Sequence, residues 1–140
     1  MSGNLQGNHA LPTNTINLQN NTCSHTALTY NHSMFTFIEL PIFTKYAADY
    51  FGDDALAELQ ASIAKNPAQG DVIRGTNGVR KLRWGRAGMG KRGGVRVIYF
   101  MQDIEGRIWL LTVYAKSAHE NISVTTLNQL REVAENAQII

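Results

Sequence analysis

Two nearly continuous apolar runs, "VRVIYFM" from Val95 to Met101 and "IWLLTVYA" from Ile108 to Ala115, constrain this chain most. Both are rich in β-branched and aromatic residues, as strands are, and the "QDIEGR" between them reads as a turn. Neither run alternates with polar residues, so neither strand has a face to give to water. Both are therefore expected to be central and covered on both sides.

The surrounding segments supply candidate neighbours. "MFTFIEL" reads as a strand, after which Pro41 suits the first position of a helix. Within "PIFTKYAADYF" the residues Ile42, Phe43, Tyr46, Ala47 and Tyr50 recur at three- and four-residue spacing. Gly52 stops that helix, and Asp53 is expected to cap a second, "DALAELQASIAK", with Leu56, Leu59 and Ile63 inward and Asn66-Pro67 at its end. The pair reads as a helical hairpin covering one face of a sheet. A short extended piece follows around Val72-Ile73, then a "GTNG" turn, the strand "VRKLRW" and a glycine-rich loop. Ser123 is expected to cap a final helix lined by Val124, Leu127, Leu130 and Ala134. The fold class expected is α+β: a small antiparallel sheet of about four strands packed against a helical hairpin, with a C-terminal helix.

Residues 1–33 differ in texture, with no Lys, Arg, Asp or Glu, seven asparagines and only isolated apolar positions. Such a segment is expected to be a disordered tail, or an artefact of start-site choice with translation beginning at Met34. The domain is then 34–140. At 140 residues one domain with a core of its own is expected. The single cysteine, Cys23, allows neither an intrachain disulfide nor a thiolate metal cluster, which fits a reducing interior. No apolar stretch is long enough to span a bilayer and no secretory signal opens the chain, so a cytoplasmic protein with no membrane partner is expected.

Charge is segregated. From Arg74 to Arg96 there are eight basic residues and no acid, leaving five bases against eleven acids elsewhere. That is an electrostatic footprint for an anionic partner such as a nucleic-acid backbone. A surface shaped for solubility alone would mix the signs.

Two phosphate-loop patterns occur here by chance. "GRAGMGK" satisfies the P-loop spacing, but Arg92 stands where Ser or Thr must hold magnesium and a strand follows instead of a helix. "GMGKRGGV" matches the kinase glycine loop in a chain with no H-R-D or D-F-G. What remains is the cations themselves. Lys81 and Arg83 alternate with Leu82 and Trp84 and so share one face of a strand, and Arg96 opens the next strand opposite them.

"GDVIRGTNGVRKLRW" followed by "GKRGGVRVIYF" and "IWLLTVYAK" resembles the HigB branch of the RelE/ParE superfamily of bacterial toxin–antitoxin toxins, from about Phe35 to the C-terminal helix. The resemblance implies an mRNA-cleaving endoribonuclease, usually acting within the ribosome, without cofactor or metal, and silenced by a cognate helix-turn-helix antitoxin. It implies catalytic roles for Arg96, at the scissile phosphate, and Lys116. Lys81 and Arg83 join them as catalytic candidates, and Arg80, Arg86, Lys91, Arg92 and Tyr99 are candidate RNA contacts. Tyr114 could stack a base or assist a proton, and His119 lies where some relatives place an acid or base. A catalytic tyrosine near the C-terminus, present in RelE itself, has no counterpart after Lys116. Two alternatives stand: a ParE-like gyrase-poisoning toxin of the same fold, and a non-catalytic RNA-binding module using Trp84, Tyr99 and Trp109 as stacking platforms.

Overall fold

The structure is a computed structural model and describes residues 11–18, 21–30, 33–86, 90–102, 106–115 and 122–137. Along the chain come strands β1 (Leu11–Leu18), β2 (Asn21–Tyr30) and β3 (Ser33–Glu39), and helices α1 (Pro41–Ala47) and α2 (Asp53–Lys65). Strands β4 (Asp71–Val72), β5 (Val79–Arg86), β6 (Gly90–Gln102) and β7 (Arg107–Ala115) and helix α3 (Val124–Asn136) complete the described chain. The seven strands form one sheet in the order β1-β2-β3-β7-β6-β5-β4.

The two apolar runs are β6 and β7, and they lie inside the sheet as their composition requires. Every β7 residue from Ile108 to Tyr114 is buried. Apolar side chains on the two faces form two clusters. One joins Phe37, Leu82, Val97, Tyr99 and Leu110 to Phe43, Ala47, Leu59 and Ile63 of the helical hairpin. The other joins Val79, Ile98, Phe100, Trp109 and Leu111 to Leu127 and Ala134 of α3. The architecture is thus α+β with helices on both faces of a mixed sheet.

The sheet differs from expectation in two ways. Its β3–β7 pair is parallel, with Phe37 opposite Ile108 and Glu39 opposite Leu110; the hairpin α1–α2 and the strands after it lie between the two in sequence, a separation that permits a parallel pairing. The second difference is its size: β1 and β2 pair antiparallel and extend the sheet beyond β3. The open edge of β3 presents amides and carbonyls that an extended chain can satisfy through its backbone.

Helix boundaries follow local chemistry. Pro41 opens α1, but the helix ends at Ala47, and its buried residues are Phe43 and Ala47, with Ile42 and Tyr46 exposed. Gly52, not Asp53, is the N-cap of α2; Asp53 and Asp54 sit in its first turn, where carboxylates favour the positive end of the helix dipole. At α3, Ser123 Oγ accepts from the Thr126 amide at 3.1 Å, the expected cap.

Candidate functional site

Register decides which cations meet. In the β5–β6 ladder Arg83 lies directly opposite Arg96 and Lys81 opposite Ile98. In the β6–β7 ladder Arg96 lies opposite Tyr114 and Ile98 opposite Thr112. Directly opposed residues of antiparallel strands share a face. Arg83, Arg96 and Tyr114 therefore form one row across three strands, with Lys81 in the next row. This is the face covered by α3, since Val79, Ile98 and Tyr114 belong to that cluster.

Two guanidinium-bearing residues placed directly opposite each other repel. Among the described residues neither Arg83 nor Arg96 has a carboxylate within ion-pair distance. Arg83 is exposed and Arg96 half-buried, so both can be reached from solvent. Burial pushes the Tyr114 phenol above its ordinary value, and the neighbouring Arg96 charge partly opposes that shift. Tyr114 thus stays protonated through the neutral range, on the strand next to Arg96.

Next to the row, a cavity of about 230 Å³ opens between the sheet and the start of α3, lined by Lys81, Ile98, Tyr114, Ile73, Val124 and Leu127. Its outer wall is the turn after β4. Thr76, fully buried, donates through Oγ1 to the Ile73 carbonyl at 2.6 Å and accepts from the Val79 amide at 3.1 Å. Asn128 of α3 donates to the Gly75 carbonyl at 3.1 Å, tying helix to turn. Gly75 (φ +85) and Gly78 (φ +109) hold backbone angles that side chains rarely adopt.

Other candidates are placed differently. Tyr99 is 0 % exposed and lies on the hairpin side; its hydroxyl donates to the Pro67 carbonyl at 2.6 Å and accepts from the Gly70 amide at 3.0 Å. It has no ring face to offer a base. Burial raises its phenol above the ordinary value, with the Gly70 amide and the Arg80 charge acting in the other direction. Arg80 shares that face and donates to the Ala68 and Gly70 carbonyls at 3.1 and 2.6 Å, so it braces the loop after α2 instead of joining the row. The physical reason is parity: Arg80 and Tyr99 are one residue out of phase with Lys81 and Arg96.

Trp109 is 1 % exposed and donates to Gln102 Oε1 at 3.0 Å, and Trp84 packs against the hairpin-side core; neither is an open platform. Lys91, Arg92 and Arg86 lie in strands β6 and β5, but their side chains fall outside the described residues, as do Lys116 and His119 altogether. The last described residue before Lys116 is held: the Ala115 amide donates to the Tyr50 hydroxyl at 3.3 Å.

What the residues alone did not reveal is how Tyr114 joins Arg96. Ile98 pairs with Thr112 but Tyr99 pairs with Leu110, so Leu111 is an extra residue, a β-bulge. The bulge resets the alternation. Ile108 and Leu110 face the hairpin, and by strict alternation Tyr114 would too; instead it lies on the α3 side. Polar Thr112 inside the apolar run is the one local hint.

A family model described as the RelE toxin of the RelE/RelB toxin–antitoxin system matches residues 39–140.

Proposed function

Because the chain belongs to the RelE family of toxins of toxin–antitoxin systems, a family that implies a cognate antitoxin, we propose that it is an mRNA interferase whose site is the Arg83–Arg96–Tyr114 row with Lys81. The observation that carries this reading is the directly opposed arginine pair, which costs stability and has no carboxylate partner among the described residues. A bound phosphodiester relieves that repulsion.

RNA carries its own nucleophile. The 2′-hydroxyl gives its proton to solvent water as its oxygen attacks the adjacent phosphorus, and the bond to the 5′-oxygen breaks as that oxygen takes up a proton from water, giving a 2′,3′-cyclic phosphate and a 5′-hydroxyl. Negative charge grows on the non-bridging oxygens in the transition state. Arg96 and Arg83 stand at directly opposed positions of the sheet, so both charges can act on one phosphate; one such donor is worth roughly a hundred- to thousandfold in rate. Lys81 holds a neighbouring phosphate. Tyr114 lines the site next to Arg96 and contributes its ring and phenol to the substrate's surroundings. Lys116, the residue after Ala115 at the end of β7, is assigned the second catalytic charge by family resemblance. Lys91, Arg92 and Arg86 are assigned to substrate phosphates or ribosomal RNA. The protein is proposed to act in the cytoplasm on ribosome-bound mRNA and to be neutralised by a helix-turn-helix antitoxin. Among the described residues no helix is long and apolar enough to cross a membrane.

The test is growth arrest on expression, paired with mRNA cleavage in a translating extract with and without ribosomes. Arg96→Ala should fold yet lose both activities. A folded Arg96→Ala protein as toxic as the parent, or arrest of replication with translation intact, would refute the assignment.

A further inference from the structure

We propose that the cavity beside the arginine row seats a single unstacked nucleobase of the RNA, so that the site grips base and phosphate together. The inference rests on the nuclease reading for its choice of RNA. Three observations carry it.

The first is chemistry. Ile98, Ile73, Ile122, Val124 and Leu127 line it with apolar side chains, and Lys81 and Tyr114 complete the lining. An apolar slot with one aromatic ring and a cation beside it suits a flat, weakly polar ring attached to an anion. The second is size. At about 230 Å³ the cavity falls below the range of drug-sized sites, which begins at roughly 300 Å³, and fits a smaller flat group. The third is charge complementarity. Tyr114 and Lys81 belong both to the cavity and to the strip with Arg83 and Arg96, and no acid occurs between Arg74 and Arg96. Among the described residues Asp71, opposite Lys81 on the short edge strand β4, is the one carboxylate in register with the strip. A ligand entering the slot therefore meets cations at its mouth, which selects for a group carried on a phosphate backbone over an apolar side chain of a protein partner.

The slot is also rigid. The turn from Ile73 to Val79 is locked by Thr76, and Asn128 ties that turn to α3. Rigid walls avoid the ordering cost that a collapsed groove would incur on binding.

The experiment measures binding, so that it does not depend on cleavage. A short 2′-fluoro oligoadenylate, which lacks the attacking hydroxyl, is compared at low salt with an abasic oligomer of equal length and charge. For the parent protein the base-bearing oligomer should bind about five- to a hundredfold more tightly, the range of one stacked base. Val124→Leu and Val124→Met extend into the slot from its wall without adding an aromatic ring. In both, the preference for bases should fall below about twofold, while abasic binding and its salt dependence stay at the parent level. Equal or undetectable binding of the two oligomers by the parent overturns the inference, as does a base preference that survives both substitutions. Failure of the nuclease reading looks different: cleavage is absent or indifferent to Arg96→Ala, whatever the base preference.

Discussion

Arg83 and Arg96 sit directly opposite each other on adjacent strands, and that arrangement gives a prediction in which stability and activity move in opposite directions. Like charges in such a pair cost about 0.2–1 kcal/mol. Arg83 is exposed, so Arg83→Gln loses little packing and removes the repulsion. For a chain of this length one kcal/mol corresponds to roughly 3–5 °C in Tm, so the variant should melt about 1–4 °C higher at low salt. The gain is a Coulomb effect between solvent-accessible charges, and salt near 0.5 M should erase most of it, since screening then acts over about 4 Å. Arg96→Gln should show a smaller net gain, because its half-buried stem also gives up some packing against Tyr114. In the double variant the gains should not add, as either change alone removes the same repulsion. RNA cleavage should fall by roughly a hundred- to thousandfold in Arg96→Gln. Thermal melts at two salt concentrations, run beside a cleavage assay, check all of this. A drop in Tm above about 3 °C for Arg83→Gln, or additive gains in the double variant, would refute the reasoning, since either would mean that the arginines do not face each other as a strained pair.

Tyr99→Phe leaves the Gly70 amide and the Pro67 carbonyl without their shared partner inside the protein. It should cost about 2–4 kcal/mol, lowering Tm by roughly 6–20 °C, while the rate of the folded protein at low temperature stays near the parent's; a rate loss like that of Arg96→Gln would return Tyr99 to the site. Glu39, whose Oε1 accepts from Thr44 at 2.7 Å, is held above the ordinary carboxylate value mainly by burial, against the smaller pull of that hydrogen bond. Its protonated form is the one the fold favours, so its contribution is complete below the ordinary carboxylate value and lost as pH rises through the raised one. Glu39→Gln, permanently neutral and still able to accept from Thr44, should therefore melt above the parent at neutral pH, with the gap closing as pH is lowered towards about 4. A gap independent of pH in the melting curves would show that the carboxylate is not the source.

The parts of this fold that could be read from residues are those where one local signal dominates. Continuous apolar runs made β6 and β7 central, Ser123 marked the start of α3, and the alternation of Lys81 and Arg83 with Leu82 and Trp84 gave the faces of β5. The illegible parts depend on distant partners. Arg80 and Lys81 are neighbours with the same charge, yet one braces a loop and the other lines the cavity, because the strand sends them to opposite faces. Tyr99 and Tyr114 are both buried tyrosines in strands; only the positions of Pro67, Gly70 and Arg96 separate a structural role from a place in the arginine row. Strands β1 and β2 escaped notice because backbone pairing, of β2 to β3 and of β1 to β2, leaves no mark on side-chain composition.

The bulge at Leu111 shows why the row stands where it does. A regular β7 would send Tyr114 towards the hairpin, among Ile108 and Leu110, and leave Arg96 without an aromatic neighbour on its own face. With one extra residue, Leu111 stays with Trp109 in the α3-side cluster and Tyr114 follows on the same side, so the strand's last turn of alternation is aligned with Arg96 and Arg83. The arginines are then placed at the margin of an apolar layer built from Ile98, Leu111 and Leu127. Charge at such a margin interacts more strongly with a bound phosphate than the same charge in open water, because part of the surrounding medium cannot reorient. The cost of setting two arginines directly opposite each other is thus met by the well-packed sheet beneath them, on the same face as the cavity.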